Sequence, residues 1–231
     1  LSLDASLYGD VIVCDYNYVF DPRVYLKRFF MEKGEYVFLV DEAHNLVDRA
    51  RSMYSTELHK AAFLQAARWI PKHRKPLHAA LRAINREFLQ LKKQCEEKGQ
   101  DFLYQKEPLL SIKQRLAEVI EQMDIYLQSE HEDTQDEELR DLYFTCINHN
   151  RIAEFYDENF ITWYEKQGTD IVLKQLCLNP AHPLRETCAL GRSTIFFSAT
   201  LSPVDYYQDL LGATRKTRRL FLPSPFSAQN R

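Results

Sequence analysis

The spacing of apolar residues changes three times along the chain. Near the N-terminus two short runs, DVIVCD from Asp10 to Asp15 and YVFLV from Tyr36 to Val40, are β-branched or aromatic and bounded by charge. Such runs read as buried strands. The stretch from Pro22 to Glu32 between them is amphipathic, so the order strand, helix, strand predicts a parallel α/β sheet. The period then lengthens. Leu77, Leu81, Ile84, Phe88, Leu91 and Cys95 recur at intervals of four and three, as do Ile112, Leu116, Val119, Met123 and Leu127, and again Leu139, Leu142, Cys146 and Ile147. This predicts three helices of a bundle. Gly99 and Pro108 punctuate the first pair, and the acidic run from Glu130 to Glu138 is expected to form an exposed connection to the third. From Phe160 to Leu178 the period shortens to two around Gln167-Gly168, which predicts a β-hairpin. A last apolar run, Thr194 to Phe197, leads into SATLSP and is expected to return to the first sheet. The fold class is therefore α/β, with a mainly helical insert over residues 56–187 interrupting a parallel sheet built from residues 1–55 and 188–231.

Composition changes this picture at few points. With 231 residues, 45% of them hydrophobic, the chain can bury a substantial core. The net charge of −3 hides an asymmetry: residues 56–100 hold ten Lys+Arg against four Asp+Glu, and residues 101–170 hold six against seventeen. One region is basic and the next acidic. The five cysteines (Cys14, Cys95, Cys146, Cys177, Cys188) form no C-x-x-C pair, which argues against a disulfide framework or a zinc site and for a reducing, cytoplasmic compartment. In a bacterium the protein would be nucleoid-associated. Neither a membrane-length apolar run nor a signal-peptide layout is present, and no H-E-x-x-H points to a metallohydrolase.

The run Phe38-Leu39-Val40 ends in Asp41 and Glu42. Ligands of open α/β sheets collect beyond the carboxyl ends of the strands, so these carboxylates sit where a site is expected. An Asp there can hold Mg²⁺ through water, and the next carboxylate, pointing in another direction, can deprotonate a water that attacks a γ-phosphate. Asp41 is assigned the magnesium side and Glu42 the water. His44 is placed to relay nucleotide state to neighbouring segments. By average residue usage D-E-A-H arises by chance in on the order of one in a thousand chains of this length.

DEAHN after an apolar strand, followed much later by FFSATLSP, resembles motifs II and III of superfamily 2 helicases. The Asn after the His, DVIVCDYNYVFDP ahead of the strand, and LPSPF near the end are similar to the XPD and DinG branch. The resemblance covers roughly the first 50 and last 40 residues; the insert matches by position and helical character. It implies a partial RecA-like sheet interrupted by an Arch domain that helps enclose a translocating single strand. It implies ATP and Mg²⁺ as cofactors, with single-stranded DNA and the rest of the helicase core as partners. Asp41 and Glu42 take the Walker B roles, and Ser198 and Thr200 couple ATP turnover to domain movement. Members of that family often carry a 4Fe-4S cluster, which would lie upstream of Leu1 and not within this chain.

Candidate nucleic-acid contacts are Tyr16, Asn17 and Tyr18 after the first strand, and Trp69 with Lys72, Arg74 and Lys75, where cations flank a ring able to stack on a base. Arg215, Lys216, Arg218 and Arg219 form a second basic cluster. No glycine is followed by Lys, so a G-x-x-x-x-G-K-[ST] phosphate loop is absent from the sequence. The arginine-bearing motif of a second RecA-like domain is absent too. The chain is expected to be an internal fragment that does not hydrolyse ATP alone, since nothing in it would stabilise the transition-state charge. The alternative reading is a non-catalytic module whose insert binds DNA or protein, with the DEAHN strand as scaffold.

Overall fold

The computed structural model describes residues 2–129 and 135–223. Short helices α1 (Ser2–Ala5), α2 (Asn17–Phe20) and α3 (Lys27–Phe30) precede strand β1 (Val37–Val40) and helix α4 (Ala43–Met53). Then follow β2 (Thr56–His59), α5 (Lys60–Trp69), α6 (Lys75–Glu97), β3 (Phe102–Gln105), α7 (Leu110–Ser129) and α8 (Gln135–Ile152). The hairpin β4 (Phe160–Gln167) and β5 (Asp170–Cys177), helix α9 (Ala181–Cys188), strand β6 (Ser193–Phe196) and helix α10 (Val204–Leu210) complete the order. The result is α/β, as the pattern predicts, with two sheets of opposite kind. β1 and β6 pair in parallel, Val37 opposite Ser193 through Val40 opposite Phe196. The other four strands form an antiparallel sheet in the order β2-β5-β4-β3.

Two hydrophobic clusters hold these layers. In the first, α5, α6, α7 and α8 pack on one face of the antiparallel sheet, joining Phe63, Ile84, Phe88, Leu116, Met123 and Cys146 to Leu58, Tyr164 and Leu173. All six periodic positions of α6 are buried, from Leu77 to Cys95. At 23 residues this helix is about 34 Å long. It stops where Gly99 takes φ +61°, donating its N–H to the Glu96 carbonyl while Gln100 donates to that of Cys95. That closure is a Schellman motif, and a side chain at the left-handed position would strain it. In the second cluster α4 lies under β1, so that Phe38, Val40, Ala43, Leu46, Val47, Ala50 and Tyr54 meet Phe20, Leu184 and Leu210. Gly191 lets the chain enter β6 against β1: a Cβ there would sit 2.7 Å from the Phe38 ring and 2.9 Å from the Tyr36 carbonyl oxygen.

Two expectations fail. Asp10 to Asp15 is not a strand, and Val11 and Val13 are 83% and 94% exposed. A β-branched run becomes a strand only when a neighbouring edge accepts its backbone hydrogen bonds, and among the described residues β1 pairs with β6 alone. Nor is Pro22 to Glu32 one helix. Arg23 grips Asp21 in a two-pronged ion pair with a closest approach of 2.6 Å, while its own N–H is donated to the same carboxylate at 2.9 Å. This Asx turn breaks the helical path, which resumes only at Lys27. The hairpin forms as expected, with Gly168 at φ +61° in its turn. Residues 130–134 of the acidic connection and most of LPSPF lie outside the described residues; Glu137 and Glu138 already belong to α8, both exposed.

Candidate functional site at the β1 and β6 ends

Because β1 and β6 run parallel, their carboxyl ends open on one edge of the sheet. The ladder continues one step beyond β6, Phe197 N–H donating to the Val40 carbonyl at the end of β1 at 3.0 Å. The Phe197 carbonyl then accepts the N–H of Ala43 at 3.1 Å, tying the first turn of α4 to the far strand. Asp41 and Glu42 fall inside that tie. Glu42 is the single non-glycine residue with positive φ among the described residues, at φ 46° and ψ 40°. The left-handed conformation costs an L-residue about 1–2 kcal/mol, and such strain concentrates at functional sites. Asp41 helps hold the turn, since its Oδ1 accepts the Glu42 N–H at 2.7 Å.

The structure brings four of the expected residues into one polar cluster. Ser198 Oγ donates to Glu42 Oε2 at 3.1 Å. His44 Nδ1 lies 2.8 Å from Ser198 Oγ and 3.1 Å from Glu42 Oε2. Thr200 donates its N–H to Ser198 Oγ at 3.2 Å and has its hydroxyl 3.3 Å away. Ser198 has one proton; once it is given to Glu42, the serine oxygen is an acceptor, so His44 carries its hydrogen on Nδ1. Histidine therefore donates to serine and serine to the Glu42 carboxylate, a relay that holds the imidazole beside that carboxylate. Asp41 and Glu42 remain exposed, open to a ligand beyond the sheet edge. Mg²⁺ bound chiefly through water and nucleotide phosphates needs only one or two protein carboxylates, and the free oxygen of Asp41 fits that demand.

Tyr16 occupies a different place from the one its sequence context suggests. Its hydroxyl points at the site, donating to the backbone carbonyls of Asp41 at 3.0 Å and Glu42 at 3.2 Å. Burial, and next the Glu42 charge, raises the Tyr16 phenol above its ordinary value, so it stays a donor. The ring also borders a cleft of 440 Å³ formed with Asn45, Asp48, Arg49 and Ser52, one face of α4. Asn17 and Tyr18 sit at the start of α2, Tyr18 43% exposed.

The basic segment is remote in the fold, on the helical cluster. Lys72, in the turn between α5 and α6, and Lys75, the first residue of α6, are exposed, and Trp69 is half-buried at the end of α5. Arg74 is turned inward, its guanidinium 5.5 Å from the centre of the Tyr126 ring. Arg219 of the second basic cluster pairs with Asp205 at 2.6 Å. One exposed feature escaped the sequence reading. On the outer face of the antiparallel sheet Phe102 stacks on Trp163 at 4.3 Å and 10°, with the Tyr104 ring nearly parallel to Trp163 at 6.3 Å. The alternations FLYQ and TWYE carry the signal, but only the pairing of β3 with β4 places the rings together.

Among the described residues no helix is long and apolar enough to cross a membrane. Residues 4–63 match the DEAD_2 family model, and this stretch is similar to that family. The matched stretch runs from α1 to Phe63 in α5 and contains Tyr16, Asp41, Glu42 and His44. No curated protein matches the chain.

Proposed function

We propose that this chain is the DEAH-bearing part of an ATP-dependent DNA helicase of the XPD and DinG type, moving 5′ to 3′ on single-stranded DNA. One observation carries the reading: Ser198 and His44 converge on the Glu42 carboxylate at 3.1 Å, joining two sequence motifs that the insert separates. In this scheme Glu42 takes the proton of the water that attacks the γ-phosphate of ATP, and Asp41 anchors Mg²⁺ through water. The metal would offset phosphate charge. His44 and Ser198 aim the carboxylate and pass its state to Thr200 and α10 beyond it. The helical insert contributes cations, Lys72 and Lys75, to the path of the strand. The phosphate loop and arginine finger would come from elsewhere in a full-length protein, and this chain alone would be inactive.

The test is Glu42→Gln in the full-length protein, which keeps the shape and removes the base. ATP turnover should fall by about 10²–10⁴, the range for loss of a general base, with ATP binding retained. Near-normal turnover would end the assignment. A second reading, in which the insert serves as an interaction module, is favoured by the exposed Phe102–Trp163 stack. It predicts that Phe102→Ala with Tyr104→Ala loses a binding partner while ATP turnover is kept.

A further inference from the structure

We infer that Tyr16 is a positioning residue for Glu42, acting through the main chain. The inference rests on Glu42 being the water-activating carboxylate. A left-handed glutamate is held only if its surroundings determine it, and beside the tie from Ala43 to Phe197 three contacts meet on the main chain of Glu42. Asp41 Oδ1 takes the Glu42 N–H at 2.7 Å, and the Glu42 carbonyl takes the Asn45 N–H at 2.9 Å. The third is the Tyr16 hydroxyl, the one contact from outside the turn that spans both the Asp41 and Glu42 carbonyls, at 3.0 and 3.2 Å. Without it two successive carbonyls lose their shared donor, and the peptide between Asp41 and Glu42, still held at its N–H by Asp41 Oδ1, rotates more readily toward an ordinary conformation. Such a rotation swings the Glu42 side chain away from Ser198 and His44. The same ring forms a wall of the cleft lined by Asn45, Asp48, Arg49 and Ser52. The cleft and the catalytic turn therefore share Tyr16.

Tyr16→Phe removes the hydroxyl and keeps the ring. In the 231-residue chain, amide hydrogen exchange should quicken over residues 41–45 and stay unchanged in α6 and α7. In the full-length protein, kcat for ATP should fall about tenfold, the effect of one net hydrogen bond, with KM within twofold. Added to Glu42→Gln, the change should cost nothing more, because both act on one carboxylate. Unaltered exchange over 41–45, unaltered kcat beside an inactive Glu42→Gln, or faster exchange throughout with kcat and KM both shifted would each overturn the inference. Full activity of Glu42→Gln would instead overturn the functional reading, and exchange would still decide whether Tyr16 holds the turn.

Discussion

Ser198 Oγ lies 3.1 Å from Glu42 Oε2, although 156 positions separate the two residues in the chain. The parallel pairing of β1 with β6 makes the contact, because it delivers both strand ends to the same edge. Between them the four-stranded sheet and its helical layer leave and return without disturbing that register.

If Ser198 aims Glu42, Ser198→Ala leaves His44 as the sole remaining side chain directed at that carboxylate. ATP turnover in the full-length protein should drop about tenfold, the loss of a single hydrogen bond. DNA unwinding should drop further, since Thr200 then loses its N–H acceptor and the link to α10 slackens. Parallel assays of ATP turnover and strand separation check the split; equal losses in both would assign Ser198 to chemistry alone.

His149 on α8 is 2% exposed, and its Nδ1 has no hydrogen-bond partner among the described residues. Burial pushes its pKa down from 6.5 to about 3. The folded form therefore stays neutral where the unfolded chain takes a proton. Stability is intact above pH 6.5 and declines as pH falls from there toward about 3, since the unfolded state binds more protons over that window. His149→Leu should flatten the pH dependence of the urea midpoint between pH 6.5 and 4. A curve as steep as that of the wild type would place the acid sensitivity elsewhere.

Single-stranded DNA should bind this chain no tighter than the roughly 10⁻⁴ to 10⁻⁶ M of non-specific contacts at physiological salt. With Arg74 turned toward Tyr126, the exposed lysines of the basic segment are Lys72 and Lys75. Replacing both with Ala should lower the slope of log K against log salt by about 1.4, or ~0.7 per counterion for a single strand. Lys33→Ala, on the other lobe, should leave the slope unchanged. Fluorescence titrations of a labelled oligonucleotide at several salt concentrations make the comparison.

The amino-acid sequence by itself determined three helices of the insert (α6, α7 and α8), the hairpin, and the two strands that end in DEAHN and SATLSP. These are encoded locally: α6 buries all six of its periodic positions, and Gly168 stands where the hairpin turn needs positive φ. The residues of the site were legible too, because a carboxylate pair at a strand end has a restricted set of uses. Only the tertiary structure decided how they are joined. DVIVCD has the composition of a strand and remains unpaired, since pairing belongs to a neighbouring edge and not to the run itself. Tyr16 stands beside polar residues that suggest a ligand, yet its hydroxyl caps the Asp41 and Glu42 carbonyls from 25 and 26 residues away. No local preference of Glu42 would place it at φ 46°; a strained conformation is kept by contacts that exist only once β1, β6 and the segment bearing Tyr16 have met.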